Sequence, residues 1–207
     1  MRLGLSVVVL LGCTGLLTPS PFAGDVNLRV SLRGSGPTAT HDAEVLRRRF
    51  QEVSVEAVLL PIGDDELSMS LSGVAGEQII APLIARGVVE LRFSDGQVLT
   101  NDEIKTASTE VTEFGPSVWV VFTPAGEEHL CEWSESSIGE KLEIRVDDEV
   151  LSSPVIREKI CGGKAQISMG GMRAPEEMLI EATSLATNLR LEPLSSTWTL
   201  ESVERGP

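Results

Sequence analysis

The sequence predicts an α+β protein whose first half follows a ferredoxin-like βαββαβ order, and three observations carry that expectation. Residues 26–32, VNLRVSL, alternate apolar and polar side chains as a half-buried strand does. Residues 41–52, HDAEVLRRRFQE, place Val45, Leu46 and Phe50 on one helical face. Two further runs, VEAVLLP and ELSMSLS, flank Gly63-Asp64-Asp65, a turn-forming triplet that reads as a hairpin.

The elements follow in order. Thr40 is expected to cap the helix at 41–52, with Arg47, Arg48 and Arg49 largely in solvent. A second helix at about 76–86 and a fourth strand, VVELRF at 88–93, complete the βαββαβ unit, with two helices over one sheet face. After Gly96 the pattern restarts. A short helical turn near NDEIKTA leads to the strand pair TEVTE and SVWVVF, joined through Gly115-Pro116. Thr123 caps a helix at about 124–137, Pro124 takes its first position, where a missing N–H costs nothing, and Gly139 closes it. KLEIRV and EVLSSPVI form a hairpin across Asp147-Asp148, and KAQISM is a further strand. APEEMLIEATSLATNL is a helix with Pro175 in its first turn, and LSSTWTLESV is the last strand.

Composition narrows the function. The 207 residues are 42% hydrophobic and 23% charged, which suits compact domains. The net charge of −14 is spread along the chain and disfavours nucleic acid or an anionic lipid surface as partner. Tyrosine is absent and aromatics make up 4%, which argues against a base- or sugar-stacking site. Residues 1–23 read as a signal peptide, with Arg2 before an apolar stretch. Leu10-Leu11-Gly12-Cys13 resembles a lipobox, making Cys13 a candidate for lipidation. The alternative is cleavage near Ala23, with Pro21 three residues before the cut. No later stretch approaches the roughly 20 apolar residues of a membrane helix, so membrane contact is expected only through a lipid anchor. Export leaves Cys131 and Cys161 in an oxidising compartment, as a disulfide or as two buried thiols.

Several segments taken together carry a family resemblance. VWVVFTPAGEEHL, then IGEKLEIRVDDEVLSSPVIREKICGGKAQI, then a helix opening APEE, resemble the first periplasmic domain of SecD, a bacterial protein-export accessory subunit. Upstream, LRRRF, GDDELSMSLSGV, LIARGVVELRF and LTNDEIKTA are similar to the same domain in the same order. The resemblance covers roughly residues 40 to 204. It implies a base at 25–97, an inserted α+β head subdomain at 98–189, and a final strand at 190–207 returning to the base. It also implies capture of emerging polypeptide by the head. In that family Cys131 and Cys161 stand where small residues or threonine are usual, so their joint presence favours a disulfide over catalysis.

Catalytic readings are weak. His129 and Cys131 are two apart on a helix and point to different faces, so they make no thiolate–imidazole couple. His41 and His129 are the only histidines, and no zinc-ligand spacing involves both. The acidic turns Asp64-Asp65-Glu66 and Asp147-Asp148-Glu149 lack the calcium-loop frame. Gly162-Gly163-Lys164 lacks the phosphate-loop frame. No catalytic residue, metal or cofactor is expected. Met169, Gly170, Gly171 and Met172 form a soft edge, a candidate peptide contact, with core filling as the alternative. The expected function is a standalone, non-catalytic exported SecD-like domain that binds unfolded or extended polypeptide or an envelope protein, as an export accessory. The alternative is a structural or anchoring envelope lipoprotein that reuses the fold with no role in export.

Overall fold

A computed structural model describes residues 20–113, 115–168 and 174–206. The chain order begins with β1 (Ala23–Gly34), α1 (Ala39–Glu52), β2 (Glu56–Pro61) and β3 (Glu66–Val74). A 3-10 turn at Glu77–Ile79 runs into α2 (Ile80–Ile84), followed by β4 (Val89–Arg92) and β5 (Val98–Thr100). Another 3-10 turn, Asn101–Glu103, precedes β6 (Ile104–Thr112), β7 (Gly115–Phe122) and α3 (Pro124–Ser136). The order closes with β8 (Glu143–Val146), β9 (Glu149–Ser152), β10 (Lys164–Ser168), α4 (Pro175–Arg190) and β11 (Trp198–Arg205). The fold is a mixture of helices and three antiparallel sheets.

The first sheet has the order β11-β1-β3-β2. Period-two alternation turns Leu28, Val30 and Leu32 of β1 and Leu67, Met69 and Leu71 of β3 onto one face. Val45, Leu46 and Phe50 of α1 meet them there, all at 2% exposure or less. Burying each such side chain contributes about 1.5–3 kcal/mol relative to leaving it in water. The opposite face of this sheet carries Ser68, Ser70, Arg29 and Arg33 and lies open.

β4 departs from expectation. The alternation of VVELRF correctly marks a strand, but β4 does not pair with β1 at the edge of the first sheet. It pairs with β5 and β8 in a third sheet of order β5-β4-β8-β9, and β11 takes the free edge of β1 instead. The physical reason is burial: Val89 and Leu91 pack with Leu99 and Ile144 into a second core. The remaining sheet, of order β10-β7-β6, covers that core from the other side. α4 joins the two cores, giving Ile180 to the first and Ala182, Leu185, Ala186 and Leu189 to the second.

Two buried ionised side chains fix α1. Asp42 is fully buried and accepts hydrogen bonds from Thr38 Oγ1 (2.7 Å), Ser195 N (2.8 Å), Ser196 N (3.1 Å) and Trp198 Nε1 (2.8 Å). The helix therefore begins two residues earlier than expected, with Thr38 rather than Thr40 before its first residue. Arg49 is also fully buried, contrary to the solvated reading of the arginine run, while Arg47 and Arg48 remain about half exposed. Its guanidinium donates to the carbonyls of Leu83 (3.1 Å), Ala85, Arg86 (3.0 Å) and Glu192 (3.3 Å), so it caps the orphan carbonyls at the end of α2. Burial lowers the Arg49 pKa to about 10, against the opposing pull of Asp147 and Asp42, and the group stays charged at neutral pH. The second helix is correspondingly short, because Pro82 and the Arg49 cap leave α2 only five residues.

Candidate functional site

The second core is incompletely filled. β7 directs Val118, Val120 and Phe122 inward, and β10 sets Ile167 against Val118 and Ala165 against Val120. Leu91 of β4, Ile144 of β8 and Leu130 of α3 form the facing wall. Between them lies an apolar pocket of about 350 Å³, within the range of small-ligand sites. Its polar contribution comes from the rim, where Lys164 and Gln166 are exposed and Trp119 is half-buried.

One side of the mouth is made by residues 153–163. Pro154 and Ile160 reach the pocket from this segment, which is pinned to α3 by several bonds. Cys161 is disulfide-bonded to Cys131, with Cα atoms 4.6 Å apart. Ile160 N donates to Ser134 Oγ (2.8 Å), and Lys159 pairs with Glu135 (2.6 Å). The Gly162-Gly163 bend that ends the segment has φ of +100° and +65°. A Cβ on Gly163 would stand 2.8 Å from Glu127 Oε2, so a bulkier residue there would also crowd α3.

Among the described residues, β10 has β7 on one side only, which leaves its other backbone edge without a described partner strand. An extended chain added along β10 would run beside Lys164, Ala165, Gln166 and Ile167, all of which line the pocket. Sequence reasoning identified the strand but not its edge position, because an edge is a property of the sheet rather than of the strand's own pattern.

The other expected site residues fall as follows. Cys131 is consumed in the disulfide, and His129 turns away from it, stacking on Trp133 (ring centroids 4.6 Å apart) with Nδ1 2.8 Å from Glu103 Oε1. Asp65 and Glu66 flank Arg33 at 3.3 Å each. Asp147 accepts from Val88 N (2.8 Å) and Gly87 N (3.1 Å), tying the β8–β9 turn to the start of β4. Among the described residues, no three His, Cys, Asp or Glu side chains are grouped to hold a metal. Likewise no described helix is long and apolar enough to cross a membrane. Cys13, the signal segment before residue 20, and Met169, Gly170, Gly171 and Met172 lie outside the described residues.

With this geometry in hand, comparison with known proteins gives a consistent result. Residues 81–195 match the family described as SecDF, P1 head subdomain. The protein translocase subunit SecD of Dictyoglomus turgidum is 27% identical over 179 residues, covering 78% of this chain and 45% of that protein. SecD of Acidaminococcus fermentans is 30% identical over 156 residues, covering 72% of this chain and 37% of that protein. The chain thus spans less than half the length of these relatives. A crystal structure of SecDF in a super-membrane-facing form matches with a TM-score of 0.68 at 22% identity, over 91% of this chain and 32% of that one. A second structure, of SecDF as a membrane component that enhances protein export, matches with a TM-score of 0.60 at 21% identity, over 84% of this chain and 98% of that one. At these identities the structural likeness establishes a shared fold.

Proposed function

The chain belongs to the SecDF P1 head subdomain family, and from that premise we propose that it is a non-catalytic, exported module that holds extended polypeptide as an accessory to protein export. The observation that carries the reading is the apolar pocket beside the edge of β10 that has no described partner strand. Backbone hydrogen bonds to β10 would supply affinity for any sequence, while every second side chain of the guest would enter the pocket. Such recognition suits a client defined by being unfolded rather than by its sequence. On this reading Met169, Gly170, Gly171 and Met172, which directly follow β10 in the chain, are further candidates for contact with the client.

On the same reading the first sheet is a ferredoxin-like base. Its order, β11-β1-β3-β2, corresponds to the fourth, first, third and second strands of that arrangement, with β11 as the fourth. The head is the insertion between β3 and β11. It takes the expected 98–189 and gains β4, whose residues belong to the second core. Export through the N-terminal segment places the disulfide in an oxidising compartment, and Cys13 is the proposed site of a lipid anchor.

The test is site-specific photo-crosslinking from Gln166 on the purified chain, with an unfolded client and the same client folded. Crosslinks to the unfolded client alone, lost when Lys164, whose N–H faces away from β7, is changed to Pro to block the edge, are expected. Equal labelling of both forms, or yields no higher than from a probe at Ser70 on the open face of the first sheet, would overturn the proposal.

One surface feature favours a second reading, docking on an envelope protein. β2 is the other edge of the first sheet, and Val58, Leu60 and the adjoining Ile62 stand 53%, 56% and 61% exposed on one side of it. Three apolar side chains in a row on an unpaired edge suit a permanent partner. Recovery of a stoichiometric envelope partner that is lost on Leu60→Lys, with client crosslinking unaffected, is the outcome this reading expects.

A further inference from the structure

A second cavity, of about 630 Å³, lies where α2, α4 and the β8–β9 hairpin converge. It is separate in lining from the apolar pocket, with no residue in common. Pro82 of α2 and Val150 of β9 form apolar walls. Its floor is one face of α4, on which Glu181, Ser184 and Asn188 recur at helical spacing.

Two floor atoms are unusual. Ser184 is 1% exposed and Asn188 is 2% exposed, yet Ser184 Oγ and Asn188 Oδ1 have no hydrogen-bond partner. The amide of Asn188 is not free to turn, because its Nδ2 donates to Pro82 O at 3.1 Å, which leaves the oxygen toward the cavity. A buried acceptor without a donor costs about 1–3 kcal/mol, so such a pair is retained at a cost unless something supplies the missing N–H.

The charges around the cavity indicate what that is. Asp147, Glu149 and Glu181 all line it, and no described cation lies within ion-pair distance of Glu149. Arg49 sits behind Gly87 with both terminal nitrogens donating to carbonyls, and among the residues lining the cavity the buried unpartnered atoms are acceptors. We propose that this cleft binds an ammonium or guanidinium group on a short alkyl stem, its N–H donors meeting Asn188 Oδ1 and Ser184 Oγ, its charge meeting Glu149, and its stem lying against Pro82 and Val150. This inference does not depend on the polypeptide reading of the apolar pocket. The chemistry has two sources, a free organic cation or the side chain of a lysine or arginine in a polypeptide.

The test uses the full chain labelled with nitrogen-15 and titrated with n-butylguanidinium, with tetramethylammonium at equal ionic strength as a cation that has no N–H. Saturable movement of the Asn188 side-chain amide signal is expected with the first and not the second. Affinity should fall about threefold in Glu149→Gln and about fivefold in Ser184→Ala, neither of which removes a packing contact. A blocked tripeptide with a central arginine that binds more tightly than n-butylguanidinium assigns the source to polypeptide, and equal affinity assigns it to a free cation. No saturation below about 10 mM, equal movement with tetramethylammonium, or native affinity in both variants overturns the site.

Discussion

Replacing Asp42 with Asn tests whether one carboxylate closes the first sheet. The substitution keeps size and shape while replacing an acceptor oxygen with a donor. In the native chain, four donors converge on this side chain: the Thr38 hydroxyl, the backbone N–H of Ser195 and Ser196, and the Trp198 indole. The asparagine can still accept on one oxygen, so all four donors lose a charged acceptor, and even with that oxygen in the Oδ2 position, where three of them converge, Ser195 N–H faces an opposing N–H. At about 1.5–3 kcal/mol for a hydrogen bond to a charged group, discounted for the partial exposure of Ser195, the expected loss is about 3–4 kcal/mol. The pH dependence is a second signature. Burial alone would raise the Asp42 pKa, but the bonds from Thr38, Ser195, Trp198 and Ser196 together hold it below its ordinary 3.8. A depressed carboxylate stabilises the fold above its unfolded pKa, and that stabilisation is lost as pH falls through the lower folded value. Urea titrations at pH 7 and at a series of pH values below 4, followed by tryptophan fluorescence, measure both quantities. Native-like stability in Asp42→Asn, within about 1 kcal/mol, would refute the reasoning. So would an acid-induced loss as steep in the variant as in the native chain.

Two further perturbations address other joints. Gly87→Ala should cost about 2–4 kcal/mol in thermal or urea unfolding, because φ is +82° and the new Cβ would lie 2.8 Å from Arg49 Nη2; a loss under about 1 kcal/mol would mean the Arg49 cap readily yields. Reducing the disulfide, or changing Cys131 and Cys161 to Ser, opens a loop of sequence separation 30 and should cost about 3–4 kcal/mol. Limited proteolysis should then cut first within 153–163, and an unchanged cleavage pattern would show that Ser134 and the Lys159–Glu135 pair hold that segment without the bond.

Local order was legible in the sequence wherever one chain segment decides its own state. The period-two runs of β1, β3 and β7 and the apolar face of α1 were all readable, because burial on one side imposes the pattern directly. Sheet membership was not. VVELRF has the same alternation whether it lies beside β1 or beside β8, and only the fit of Val89 and Leu91 against Ile144 distinguishes the two. β5 was missed because three residues carry too little pattern. Arg49 was misplaced because three consecutive arginines look alike in sequence. What singles out the third is a cluster of carbonyls contributed by residues 83–86 and 192, 34 or more positions away. The apolar pocket shares this limit. Each lining residue reads as ordinary core, and the unfilled space exists only in how two sheets and α3 fail to meet. The cysteine pair was the exception, since their chemistry, not their neighbours, made the link foreseeable.

α4 gives the molecule its thermodynamic unity. One edge of this helix is sealed into the first core through Ile180, and another into the second through Ala182, Leu185, Ala186 and Leu189. Melting either half would strip one side of a helix that the other half still needs, so the work of opening one includes part of the work of opening both. Slow amide exchange along Pro175–Arg190 would then report the stability of the whole molecule. A pull on the strand edge at β10 would be felt at β11, not as a bend at a joint but as a shared resistance to unfolding.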